Sequence, residues 1–132
     1  MSRESVEDLK RAFEAFERGD VDEVLPLIDP DFEIGDRIVP EGGPHLRGPE
    51  ALTANVAQVR EVFGDVTWRA REVIDLDDRL LVRVRMEATA DHTALPFAED
   101  IGHVYTLKHG RIVRLDIFRT WDEARAAAGL GD

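Results

Sequence analysis

The spacing of apolar residues changes at one place in this chain, and that change constrains the fold more than any other feature. Before Gly64, apolar side chains recur every three or four residues; from Val66 onward they largely alternate with polar ones. The first spacing marks one face of a helix and the second one face of a strand. Val6, Leu9, Phe13 and Phe16 form a first helical stripe, with Glu7 and Asp8 near its positive N-terminal end and Gly19 closing it. Asp20 followed by Glu23 has the form of a capping box. It would open a second helix carrying Val21, Val24, Leu25 and Ile28, stopped by Pro30. A short strand over 32–39 is expected next, then a loop with Pro40, Gly42, Gly43, Pro44 and Gly48. Pro49 suits the first position of a third helix, whose stripe is Leu52, Val56, Val59 and Phe63, with Gly64 closing it.

Strands are predicted over 66–76, 80–90, 101–107 and 112–120. Asp77-Asp78 turns between the first two, and a loop with Pro96 joins the second to the third. Lys108-His109-Gly110-Arg111 closes the last hairpin, with glycine where a positive φ is wanted. Thr120 and Glu123 are placed to cap a short final helix that Gly129 ends. Helices first and strands afterwards is an α+β segregation, not the alternation of a parallel βαβ sheet. Short turns imply a mostly antiparallel sheet. Helices that bury their stripes on one face of a strongly bent sheet leave a pocket between the layers. The 132 residues read as one domain, 1–132.

Composition removes several classes of function. With 28 acidic and 17 basic residues the net charge is −11, which opposes the positive footprint that nucleic acid requires. Arg79, Arg83 and Arg85 lie close together, but they alternate with Val82, Val84 and Met86 and read as a solvated or paired strand face. No nucleic-acid partner is expected. No apolar run reaches the roughly 18–20 residues that span a bilayer, so no membrane partner is expected. The N-terminal Met-Ser-Arg-Glu-Ser has no secretory character, and a cytoplasmic location is expected. The chain has no cysteine, which excludes disulfides, zinc–thiolate sites and cysteine nucleophiles. His45, His92 and His109 fall in loops or a turn at no metal-ligand spacing, and Gly42-Gly43 opens no helix. No metal and no cofactor are expected.

Four local patterns carry a family resemblance when taken in order. They are Phe16-Glu17-Arg18-Gly19-Asp20 closing the first helix and Arg47-Gly48-Pro49-Glu50-Ala51-Leu52 opening the third. Then come His103-Val104-Tyr105-Thr106-Leu107-Lys108-His109-Gly110-Arg111-Ile112 and the ending Trp121-Asp122-Glu123-Ala124-Arg125, followed by Ala126-Ala127 and Gly129-Leu130. Over nearly its whole length the chain resembles the nuclear transport factor 2-like superfamily, most of all its SnoaL-like branch. The resemblance implies a cone-like, strongly curved, mostly antiparallel sheet enclosing a pocket with three helices of the N-terminal half, and a short C-terminal helix. It also implies a homodimer through the outer sheet face, consistent with an apolar last strand from Ile112 to Phe118. Ketosteroid isomerase, limonene epoxide hydrolase, polyketide cyclases and scytalone dehydratase share that fold, as do noncatalytic binding and transport dimers, so the residues must decide function.

Asp36 is the first candidate. On an alternating strand it shares a face with Phe32, Ile34 and Ile38, and a carboxyl group among apolar neighbours is suited to proton transfer near neutral pH. By resemblance it falls where ketosteroid isomerase has its general base; the other reading is a solvated aspartate or one paired with Arg37. His103 shares a face with Ile101, Tyr105 and Leu107. By resemblance it lies near the isomerase's oxyanion-stabilising acid; the other reading is a core histidine satisfied by a backbone carbonyl. The first-helix position where the isomerase has tyrosine is Ala12 here. A second constellation, Arg85-x-Glu87 with Asp116, is similar to the arginine and carboxylates of limonene epoxide hydrolase, with Glu87 in place of aspartate. The same three residues also fit an outer charge ladder, because Arg83, Arg85 and Glu87 alternate with Val82, Val84 and Met86. Phe13, Phe16, Phe63, Trp68 and Trp121 read as core or pocket wall, and Phe13, Phe16, Phe63 and Trp68, with Ile34, Tyr105 and Phe118, are the candidate apolar wall around a ligand.

These residues leave two functions open. One is a cofactor-independent acid–base enzyme of isomerase, cyclase, dehydratase or epoxide hydrolase type, acting on a small hydrophobic carbonyl or epoxide compound. The other is a noncatalytic dimer that binds such a molecule.

Overall fold

The computed structural model describes residues 3–17, 20–36, 46–88 and 97–130. Helix α1 (Arg3–Glu17) carries the first stripe, and α2 (Pro49–Phe63) the third. Between them the second predicted helix takes a tighter form, two 3-10 turns at Val21–Glu23 and Leu25–Leu27. Pro26 explains the difference: it has no N–H to give the carbonyl four residues back, and its ring crowds that turn. Ile28 accordingly opens strand β1 (Ile28–Asp36) instead of closing a helix, and Pro30 lies within the strand. Pro30 is tolerated there because β1 is an edge strand whose register shifts between Ile28 and Glu33. Gly19, Arg37, Ile38, the loop residues 40–45 with His45, and His92 and Pro96 lie outside the described residues.

The remaining elements are β2 (Val66–Asp75), β3 (Arg79–Ala88), β4 (Phe97–Lys108), β5 (Arg111–Phe118) and α3 (Trp121–Ala127). The five strands form one sheet in the order β1-β5-β4-β3-β2. Three neighbouring pairs are antiparallel, and β1 runs parallel to β5. The hairpin turns follow the sequence signals. Asp77 takes φ 77° between β2 and β3, while His109 (φ 52°) and Gly110 (φ 76°) make the left-handed pair of a two-residue turn between β4 and β5.

The inner sheet face packs on α1 and α2 through a cluster that includes Leu9, Phe13, Phe32, Val56, Trp68, Leu80, Val84, Met86 and Ile101. A smaller cluster on the outer face seats α3, joining Leu81, Val104, Phe118, Trp121 and Ala124. The Thr120 hydroxyl caps α3 by accepting from the Glu123 amide at 3.1 Å. No helix among the described residues is long and apolar enough to cross a membrane.

Close approach of α3 depends on Gly102. A Cβ there would lie 2.1 Å from the Ala124 Cβ, both on fixed backbone. Gly102→Ala is expected to cost about 2 kcal/mol, read as a lower midpoint in urea. Unchanged stability would mean that α3 does not sit on β4 at this point.

Candidate functional site

Between the helices and the inner sheet face lies an apolar cavity of about 60 Å³, room for about four water molecules. Its walls come from α1 (Leu9, Ala12, Phe13, Phe16), α2 (Leu52, Val56, Val59) and every strand. Four polar side chains reach it: Asp36, Asn55, His103 and Tyr105. Two of them are fixed by strand register. Asp36 is level with Ile117, and Ile117 is level with His103, so the three form one row across β1, β5 and β4. With strands about 4.8 Å apart, the Asp36 and His103 backbones stand about 10 Å apart. The Ile117 side chain is the floor between them.

His103 is 6% exposed. Its Nδ1 lies 2.9 Å from the Tyr105 hydroxyl, and its ring is 6.2 Å from that of Phe13. Its Nε2 is buried with no hydrogen-bond partner among the described residues. Burial pushes its pKa down to about 3, so the ring is neutral at neutral pH, and burial pushes the Tyr105 hydroxyl well above its usual range. A neutral imidazole has one N–H, and Tyr105 has one O–H to place. The bond to His103 is the side-chain hydrogen bond that Tyr105 makes among the described residues. In the tautomer in which Tyr105 donates to Nδ1, the imidazole hydrogen sits on Nε2. In that tautomer the Nε2–H is buried without an acceptor among the described residues, which costs about 1–3 kcal/mol.

Asp36 ends β1 and is half-buried, and the Asn55 amide donates to its Oδ2 at 2.8 Å. Asn55 was not anticipated from the sequence, although it lies three residues after Leu52 and four before Val59, on the stripe of α2. A polar residue on an apolar stripe is a signal that can be read in advance.

Of the predicted wall residues, Phe13, Phe16, Trp68 and Tyr105 line the cavity. Phe16 and Trp68 meet with tilted rings, their centroids 4.9 Å apart. Ile34 and Phe63 pack against the same core without reaching the cavity. Phe118 faces the opposite way, under α3 beside Trp121. Ala12, where the isomerase has tyrosine, is a buried part of the wall.

Arg85, Glu87 and Asp116 lie on the outer face, away from the cavity. Arg85 bonds Glu87 at 3.3 Å and Asp100 at 3.4 Å, and Arg83 bonds Asp100 at 2.8 Å. Burial alone would raise the Asp100 pKa, but hydrogen bonds from the two arginines outweigh it and hold the carboxyl below its usual range. Asp116 is held instead by Arg114, which also reaches Glu33 on β1 at 3.4 Å. The Asp116 bond in turn holds Arg114 above its usual range. The three predicted residues thus belong to two ion-pair groups, and the hub of one, Asp100, is a residue the sequence did not single out. On the outer face of β5, Arg114 and Asp116 are ion-paired and Phe118 is covered by α3. Among the described residues no group of three histidine or carboxylate side chains is arranged to hold a metal.

The model of the SnoaL-like domain family matches residues 9–115. No curated protein matches the chain. Among solved structures, TerC co-crystallised with polyporic acid is 24% identical, with a TM-score of 0.71 and 96% of each chain covered. An NTF2-like protein of unknown function from Burkholderia pseudomallei is 22% identical, with a TM-score of 0.74, 96% of this chain and 97% of that one covered. IdmH, a candidate polyketide cyclase from Streptomyces antibioticus, is 20% identical, with a TM-score of 0.70, 86% of this chain and 90% of that one covered. At these identities the three structures establish a common fold.

Proposed function

The chain belongs to the SnoaL-like domain family, and from that premise we propose that its cavity takes a small, mostly apolar carbonyl compound and moves a proton on it without a cofactor. The observation that carries this reading is the His103 Nε2, buried beside the cavity without a hydrogen-bond partner among the described residues, on a ring that burial keeps neutral. A carbonyl oxygen is the acceptor that fits an uncharged donor in apolar surroundings. Asp36, at the other end of the same row, is the proton acceptor.

In this mechanism the Asp36 carboxylate takes a proton from the carbon next to the carbonyl. The C–H electrons form a carbon–carbon double bond, and the carbonyl π electrons move onto oxygen. His103 Nε2–H stabilises that developing charge without becoming charged itself. Asp36 then returns the proton to another carbon, giving an isomer. Alternatively the enolate attacks a second carbonyl of the same molecule, closing a ring; the first carbonyl re-forms, and the new alkoxide takes the proton back from Asp36. The outward placement of Arg85, Glu87 and Asp116 favours carbonyl over epoxide chemistry. Noncatalytic binding of the same compounds is the second reading, favoured by the Asn55 hydrogen bond that ties one Asp36 oxygen.

Binding at His103 is tested by titrating histidine-labelled protein with a small cyclic enone, cyclohex-2-enone. The Nε2–H resonance is expected to move downfield as it gains an acceptor, and no resonance of His103→Phe does so. A folded protein whose Nε2–H is unmoved at millimolar enone rules the reading out.

A further inference from the structure

The inner cavity is not the whole of the space beside His103. A groove of about 390 Å³ lies between α1 and the hairpin of β2 and β3, within the usual range of small-molecule sites, about 300–1,000 Å³. Leu9 and Phe13 line both spaces. One layer of side chains therefore separates them.

Strand register shows how they are related. Val82 on β3 is level with His103 on β4, and Val73 on β2 is level with Val82. Asp36, Ile117, His103, Val82 and Val73 form one continuous row through all five strands. The inner cavity covers the first three and the groove covers the last two. Phe13 stands above the boundary, edge-on to Tyr105 at 6.0 Å and tilted to His103 at 6.2 Å.

The groove is built into the fold. β2 bulges between Ala70 and Glu72, and the Glu17 carboxylate accepts the Ala70 amide at 3.2 Å, fixing the end of α1 to the bulge. Its apolar side is formed by the half-buried Val6 and Val73, over the fully buried Leu80 and Val82; the rim, with Lys10, Glu14, Arg71 and Glu72, carries both signs of charge. Such a surface accepts an apolar body and leaves the far end of it in water. It offers no single charge to attract a highly charged ligand.

We propose that this groove is a second subsite of the same ligand, and that Phe13 is the residue that sets how long the ligand can be. The inference rests on His103 as the partner of the carbonyl. The ligand class is then an elongated apolar carbonyl compound. Its carbonyl lies over Ile117 at His103, and its chain or second ring passes Phe13 to lie on Val6 and Val73.

Methyl ketones of increasing length test this, with dissociation constants read from the His103 Nε2–H resonance. Butan-2-one reports the inner cavity, and octan-2-one and dodecan-2-one report the groove. In the wild-type protein affinity is expected to rise about fourfold per added methylene in contact with the apolar side of the groove. Val73→Trp, which fills the groove, is expected to weaken dodecan-2-one about tenfold or more relative to butan-2-one. Phe13→Leu keeps an apolar partition with a smaller side chain and is expected to tighten the longer ketones. If Val73→Trp leaves the length dependence as in the wild type, the subsite is overturned while the role of His103 stands. A length dependence flat in both wild type and Phe13→Leu overturns it equally. If butan-2-one does not move the His103 resonance in the folded wild-type protein, the role of His103 fails and this inference with it.

Discussion

Asp36→Asn is expected to lower kcat on a β,γ-unsaturated ketone by about 10²–10⁴-fold, with little change in KM. The amide keeps the size and shape of the carboxyl group and can still accept the Asn55 hydrogen bond now made at 2.8 Å. It cannot take a proton from carbon. The loss therefore falls on the chemical step and not on binding or folding. Glu87→Gln is the matching control. Glu87 is exposed on the outer face, where it bonds Arg85 at 3.3 Å. Loss of such a pair costs about 0–1 kcal/mol, and turnover should stay within about twofold if Asp36 is the base. Equal turnover by Asp36→Asn and wild type would remove Asp36 from the chemistry, and no turnover by either would leave binding without catalysis as the function of the cavity.

His103→Gln is expected to lower stability at neutral pH and to make the protein less sensitive to acid. The folded-state pKa of about 3 lies below the ordinary histidine value of 6.5. Between those values the unfolded chain takes up a proton that the folded chain refuses. The stability associated with a neutral His103 is thus complete above about pH 6.5 and is lost as the pH falls. By pH 4 the loss is on the order of 3 kcal/mol. Glutamine does not titrate there and escapes this loss. Asp100, whose depressed pKa also favours the folded state above its unfolded value, contributes equally to both proteins. Urea midpoints at pH 7 and pH 4 therefore separate the two effects: the wild-type advantage at pH 7 should shrink or reverse at pH 4. Parallel acid profiles would mean that His103 is hydrated or paired in the folded protein.

Much of this architecture is legible in the sequence because local rules and tertiary packing agree. The stripes of α1 and α2, the turns at Asp77 and Gly110 and the Thr120 cap are each set by neighbours within a few residues. Strand alternation alone turns Asp36 and His103 toward the helices. Where packing overrides a local rule, the sequence misleads. Asp20 and Glu23 suggest a helix, but Pro26 limits the segment to two short turns. Phe118 is as apolar as any cavity residue, yet it alternates onto the face that α3 covers. The hub position of Asp100 depends on its register with Arg85, which no pattern within β4 encodes. The pairing of Asn55 with Asp36 likewise joins residues on separate elements, so only the orientation of Asn55 was available in advance.

The parallel pairing of β1 with β5 has a consequence for the order in which the protein is made. Asp36 leaves the ribosome early, whereas Ile117, the residue it stands beside, belongs to the last strand. At roughly 5–20 residues per second, several seconds of synthesis separate the two. Throughout that interval β1 has no neighbour in the sheet, since among the described residues its strand partner is β5. The two ends of the candidate site therefore meet as one of the final events of folding. A nascent chain interrupted before β5 would carry a complete β2–β3 hairpin and a stranded aspartate, with no chemistry available to it.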